Sequence, residues 1–119
     1  MVYGADGLDE LSTTGYTKIS EFRGGTVNTF YLHPAEVGLP IATIGDLAGG
    51  TAAENAGMVA RLLDGEAGPR RDIVLLNAGA ALLVAEAATS LGEGLAMARA
   101  SIDSGRAKQA LASMREMCG

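Results

Sequence analysis

The chain has 119 residues, 48% apolar and 19% charged, which is enough apolar surface to build one folded domain and excludes a disordered chain. A net charge of −5 leaves no electrostatic footprint for nucleic acid, which needs clustered Lys and Arg. The single cysteine, Cys118, excludes an internal disulfide and fits a reducing, cytoplasmic setting. The first residues carry no basic-then-apolar leader pattern.

Residues 1–4 form a short apolar entry, read as a lead-in strand, and Asp6-Gly7-Leu8-Asp9-Glu10-Leu11-Ser12 follows at once. Three carboxylates fall within residues 6–10 of this motif. Adjacent Asp9 and Glu10 offer hard anionic oxygens of the kind Mg2+ takes, and that metal is usually held by one or two carboxylates with waters and substrate phosphates. The other reading is a solvated acidic turn before a strand, and spacing alone leaves both open. Residues 1–15 are therefore assigned as a strand and an acidic metal loop.

Residues 17–23 and 26–32 are rich in β-formers and flank Gly24-Gly25, a pair suited to a two-residue turn, so 16–33 is predicted as a β-hairpin. His33-Pro34 ends it, because proline restrains its predecessor and cannot donate to a ladder. His33 is the chain's one histidine and has no second His or Cys near it in sequence, so it reads as a solvated loop residue rather than a ligand or base. Residues 34–50, broken by Gly38, Pro40, Gly45 and Gly49-Gly50, read as a connector with at most short turns.

From residue 51 onward the pattern is helical. Thr51 and Glu54 make a capping box, and Ala56, Val59, Ala60 and Leu63 give an apolar stripe that Gly65 stops. Pro69 suits a first helical position, and 73–88 is apolar apart from Asn77 and Glu86, which predicts a buried helix too short to span a membrane. Asn77 must satisfy its amide there, most simply on backbone or a neighbouring loop. Arg70 and Arg71 near that helix start read as solvated, with Asp72 beside them as local compensation. Ser90 and Glu93 suggest another capping box ahead of Leu91, Leu95, Ala98 and Ile102. After Gly105 a last helix carries Ala107, Ala110, Leu111 and Met114 on one face, with Lys108 and Arg115 on the other. Met97, Met114 and Met117 at helical positions read as packing. Residues 51–119 are predicted to form a four-helix sub-bundle.

The chemistry-bearing motifs that are missing narrow the field. No Gly-x-Gly-x-x-Gly, P-loop or Gly-x-Ser-x-Gly elbow occurs, and one His with one Cys gives poor support for zinc or a His-dependent triad. Asp9 and Glu10 remain the candidate site.

The order of the motifs resembles a known family. The acidic motif at 6–12 is followed by Gly49-Gly50-Thr51-Ala52-Ala53-Glu54-Asn55-Ala56, then Gly68-Pro69-Arg70-Arg71-Asp72-Ile73-Val74-Leu75-Leu76-Asn77-Ala78, then Ala100-Ser101-Ile102-Asp103-Ser104-Gly105. This succession is similar to the C-terminal part of anthranilate phosphoribosyltransferase. The likeness runs through nearly the whole chain.

The resemblance implies an α/β fold, as an incomplete domain: lead-in strand, hairpin and helices from the larger catalytic domain of a two-domain enzyme of tryptophan biosynthesis. In that family anthranilate's amine displaces pyrophosphate from the anomeric carbon of phosphoribosyl pyrophosphate. Asp9 and Glu10 match the family's acidic pair, which holds Mg2+ against the pyrophosphate directly or through water. That is leaving-group stabilisation and asks for no acid, base or nucleophile from this segment. The family's histidine ahead of the motif is replaced, since Tyr3 precedes Gly4 here. The family's glycine-rich phosphate loop, most of its substrate contacts and its dimer-forming helical domain have no counterpart in this chain, so residues 1–119 are expected to be inactive alone. Two further readings stand beside this one: a non-catalytic folding and interaction module, and a relative of the pyrimidine nucleoside phosphorylases, which share the fold and release a base with phosphate.

Overall fold

The computed structural model describes residues 1–4 and 6–119. Ala5, within the predicted strand and acidic loop 1–15, lies outside the described residues. Among the described residues the molecule is an α/β assembly in which a three-stranded antiparallel sheet, ordered β1-β2-β3, precedes one 3-10 turn and five α-helices.

Strand β1 (Val2–Gly4) pairs with β2 (Thr17–Arg23), setting Val2 opposite Ile19 and Gly4 opposite Thr17. Strand β3 (Thr26–Leu32) returns along β2 with Arg23 opposite Thr26. The predicted hairpin therefore forms at the predicted turn. Gly24 and Gly25 both take positive φ, 58° and 81°, the pattern that lets a two-residue loop match the strands' twist. Because successive side chains alternate in a strand, Val2, Ile19 and Leu32 share the face that packs on the core. Tyr3, Lys18 and Tyr31 share the opposite, solvent-facing side.

The connector carries only short turns, as the sequence suggested. A 3-10 turn spans Pro34–Val37 and a single helical turn, α1, spans Ile44–Leu47. His33 caps the first: its Nδ1 accepts from the Ala35 N–H at 3.1 Å, and Glu36 accepts from the His33 N–H at 2.6 Å. Its ring meets Tyr16 edge-on at 4.9 Å. Thr43 and Asp46 cap α1 reciprocally in the same way. Both boxes escaped prediction because they open elements of only four residues, too short to show an apolar period.

Helix α2 (Ala52–Leu63) begins on the predicted Thr51–Glu54 capping box, and Gly65 at φ 99° ends it. Helix α3 (Pro69–Val84) differs from expectation in end and in burial. It stops at Val84, with Glu86 in the left-handed region at φ 61°. Only Arg71, Leu75, Leu76 and Gly79 are buried, a stripe repeating every four residues, while Val74 and Val84 are exposed. An apolar sequence forms a buried helix only where another element covers it, and here α4 (Leu91–Asp103) and the acidic loop cover one side.

Ser90 caps α4 by accepting from the Glu93 N–H at 3.1 Å, but Glu93 accepts from the Thr89 hydroxyl instead of closing the predicted box. Helix α5 (Arg106–Cys118) has no buried residue. The four helices α2 to α5 pack together as predicted, with a tight α3–α4 pair at the centre and α2 and α5 against its margins. The core runs from Leu11 and Leu39 through Leu75, Leu76, Leu95, Ala98 and Ile102.

Candidate functional site

The acidic loop is built around Asp6, not around Asp9 and Glu10. The Asp6 carboxylate accepts from the Leu8 N–H at 3.0 Å, from the Ser12 hydroxyl at 2.5 Å and from the Thr14 hydroxyl. Ser12 Oγ in turn accepts from the Thr14 N–H at 3.1 Å, and the buried Thr17 hydroxyl accepts from the Ser12 N–H at 2.9 Å. Burial raises the Asp6 carboxyl, but the hydrogen bonds from Ser12, Thr14 and Leu8 outweigh it and hold the group below the ordinary aspartate range.

The backbone closes the same turn. Gly4 N–H donates to Leu8 O and Gly7 N–H to Gly4 O, both at 2.9 Å, with Gly7 at φ 91°. Gly4 needs no unusual φ, yet a Cβ there would stand 2.5 Å from Asp6 Oδ1. The glycine ahead of the acidic motif is thus a packing requirement of Asp6.

A second anchor comes from α3, 66 residues away in sequence. Asn77 Oδ1 accepts from the Leu11 N–H at 2.9 Å, and its Nδ2 donates to Leu11 O at 2.8 Å and to Ile73 O at 3.0 Å. The sequence expectation that Asn77 bonds to backbone and loop matches this arrangement. Leu11 itself is buried in the core, so the residue after Glu10 is fixed through both its side chain and its peptide.

Between these anchors Asp9 and Glu10 are exposed, and among the described residues neither enters an ion pair or side-chain hydrogen bond. Glu10 lines a cleft of about 330 Å³ shared with Leu8, Gly49, Asn55, Met58 and Arg70. Among the described residues no third His, Cys, Asp or Glu joins the pair to complete a protein-only metal cage. Two free hard oxygen donors, open to solvent, fit a cation that keeps waters and takes its other ligands from phosphate.

The far wall of that cleft is set by the Gly49-Gly50 motif. Asn55 folds back so that its Oδ1 accepts from the Gly50 N–H at 2.8 Å, and Glu54 packs so closely that a Cβ on Gly50 would overlap its Oε2. Arg70 donates to Ala48 O at 2.9 Å, tying α3's start to the same segment. Arg71 corrects the expectation of a solvated side chain. It is buried, with Nη2 donating to Asp103 Oδ2 at 3.1 Å and Nη1 lying 2.9 Å from Oδ1, an ion-pair contact whose angle is too oblique for a hydrogen bond. Its partner is Asp103, whereas Asp72 is pushed up by burial, an effect that Arg99 and Arg71 offset only in part. Tyr3, where the resemblance implies a histidine, is exposed on the outer sheet face beside Tyr16, Lys18 and Tyr31.

In the sequence Asp6 counts only as one of three clustered carboxylates, and Ser12 and Thr14 carry no assigned role. The signal was available in an aspartate followed by hydroxyl side chains six and eight positions on, a pattern that matters only once the chain doubles back.

Residues 1–108 match the model of the glycosyl transferase family, a/b domain. The chain belongs to this family. Among curated relatives, the anthranilate phosphoribosyltransferase of Caulobacter vibrioides is 56% identical over 113 residues, covering 95% of this chain and 33% of the relative. That of Parvibaculum lavamentivorans is 52% identical over 114 residues, covering 96% and 33%. Among solved structures, the Thermus thermophilus anthranilate phosphoribosyltransferase superposes with a TM-score of 0.81 at 42% identity, over 91% of this chain and 32% of that one. The Saccharomyces cerevisiae enzyme in complex with PRPP and Mg gives 0.82 at 29% identity, over 92% and 32%. This glycosyl transferase family chain therefore spans about a third of the length of the relatives it matches. Among the described residues no helix is long and apolar enough to cross a membrane.

Proposed function

We propose that this chain is the C-terminal part of the catalytic domain of an anthranilate phosphoribosyltransferase. The whole enzyme would transfer phosphoribosyl from phosphoribosyl pyrophosphate to anthranilate, with release of pyrophosphate, as a cytoplasmic step of tryptophan biosynthesis. The observation that carries the reading is the exposed Asp9–Glu10 pair on a doubly anchored loop, in a chain whose relatives carry that name. Bound at Asp9 and Glu10, Mg2+ would supply positive charge to the departing pyrophosphate. The chain's own residues hold the two carboxylates still: Asp6 fixes the loop from within, Asn77 from α3, and Leu11 from the core. Preorganised ligands keep the cost of reorganisation out of the reaction step.

The two other readings are not favoured. A phosphorylase relative or a non-catalytic module would have to carry a chain about half identical to named transferases while using none of their chemistry. In a full-length context, Asp9→Ala and Glu10→Ala are expected to lower turnover by about 100-fold and to raise the Mg2+ concentration it requires. Unchanged turnover and unchanged Mg2+ dependence in both variants would remove the assignment.

A further inference from the structure

We propose that Asn77 is a positioning residue for the metal-binding carboxylates, acting through the Leu11 peptide. The inference rests on the reading of Asp9 and Glu10 as Mg2+ ligands and adds the residue that sets where they stand. Asn77 sits in the middle of α3, where an amide has no helical use for its side chain. All of its bonding capacity toward the loop goes to the backbone of one residue, across two successive peptide groups: Oδ1 takes the Leu11 N–H at 2.9 Å and Nδ2 gives to Leu11 O at 2.8 Å. A third bond, from Nδ2 to Ile73 O at 3.0 Å, ties the amide to its own helix and leaves it one orientation.

The geometry resembles one residue pair of an antiparallel ladder, with an amide side chain replacing the second strand. The bond to the Leu11 N–H holds the Glu10–Leu11 peptide plane and the bond to Leu11 O holds the Leu11–Ser12 plane, and through the first of these it sets the direction from which Glu10 and Asp9 enter. Asp6 cannot do this from its side of the loop, because its carboxylate is held by Leu8, Ser12 and Thr14 and does not touch residues 9–11. The core contact of the Leu11 side chain restrains position, and the Ser12 N–H on the Thr17 hydroxyl helps to hold the Leu11–Ser12 peptide, but neither fixes the Glu10–Leu11 peptide. A helix side chain bonded to both the N–H and the C=O of one loop residue removes that freedom.

The test runs in a full-length context with Asn77→Leu, which keeps side-chain bulk and deletes the three bonds. Asn77→Asp is run alongside it, as a variant of the same size that keeps an acceptor for the Leu11 N–H but loses the donor. Mn2+ binding in the presence of phosphoribosyl pyrophosphate is followed by electron paramagnetic resonance, and amide exchange over residues 8–12 by mass spectrometry. Both variants are expected to weaken Mn2+ binding by about 10-fold or more, the usual cost of losing an outer-shell partner. Exchange at 8–12 should quicken, and the KM for anthranilate should stay within about twofold, because the lost bonds sit at the metal ligands and not at the acceptor. Asp9→Asn and Glu10→Gln are measured in parallel. If they weaken Mn2+ binding while both Asn77 variants leave it unchanged, Asn77 is only a structural residue and the proposal is overturned. Should Asp9→Asn and Glu10→Gln leave binding unchanged as well, the metal reading itself fails and the positioning role falls with it.

Discussion

Asp6 illustrates how one carboxylate can be structural while its neighbours stay free for a ligand. Three donors converge on it, so its proton affinity in the fold lies below the ordinary value of 3.8. Asp103 is lowered too, first by its hydrogen bond from Arg71. For both groups the folded form binds its proton less tightly than the unfolded chain, so their contribution is complete above 3.8 and is lost as pH falls through the folded value. Asp72 runs the other way: raised by burial, it is disfavoured as an anion in the fold and regains stability on protonation. Urea midpoints measured from pH 6 down to about 3 should therefore fall, and Asp6→Asn should flatten that limb. At neutral pH Asp6→Asn is expected to cost about 1 kcal/mol, the low end for unpaired donors because the site is half exposed. An acid limb as steep as that of the parent chain would show that Asp6 does not organise the loop.

At the scale of elements, the α3–α4 crossing depends on two glycines that periodicity hides. A Cβ on Gly79 would stand 2.8 Å from the Leu95 backbone nitrogen, and one on Gly94 would overlap Gly79 O. Here the obstacle is backbone, which cannot swing aside as a side-chain tip does. Gly79→Ala should destabilise by about 1–3 kcal/mol, since overpacking outweighs the roughly 1 kcal/mol gained in helix propensity. Gly57, in α2, is the control. Its Cβ would meet only the far end of Arg61 at 3.4 Å, so Gly57→Ala should be neutral to stabilising by up to about 1 kcal/mol. Equal melting shifts for the two substitutions would contradict this account of the crossing.

The same scale explains what could be read in advance. The hairpin was legible because its signal is local: β-formers on both sides of Gly24-Gly25. The start of α2 was legible because Thr51 and Glu54 satisfy each other within four residues. Asp9 and Glu10 were singled out by residue type and resemblance, and the fold leaves both exposed, while their metal role stands as a proposal. Asn77 on Leu11 and Arg71 on Asp103 could not be placed, since each joins residues separated by 66 and 32 positions and only the tertiary fold supplies the partner. Resemblance had grouped Arg71, Asn77 and Asp103 inside recurring motifs, and the ion pair and the amide clamp give the physical reason for residues of those types there.

The whole molecule is more open than its length requires. Its radius of gyration is 15.0 Å, against about 13.5 Å for a compact domain of this size. Its accessible surface is 7413 Å², against about 6,000 Å² for a folded monomer of this mass. Several large apolar side chains lie on this surface. Val84 is 84% exposed, Phe22 and Val27 at the hairpin tip are 73% and 65% exposed, and an apolar groove of about 820 Å³ opens among α2, α3, α4 and α5. Contiguous apolar surface of this kind drives association in water. Purified residues 1–119 should therefore sediment as a concentration-dependent mixture, and Val84→Lys together with Phe22→Lys should shift that mixture toward monomer, since both remove exposed apolar area without touching the core. The same preparation should form no detectable phosphoribosylanthranilate, because the proposed ligands Asp9 and Glu10 are carboxylates that would need a cation and a second wall to act on pyrophosphate. A clean monomer at all concentrations would show that the chain is a self-sufficient module, and measurable turnover would show that the second wall is not needed.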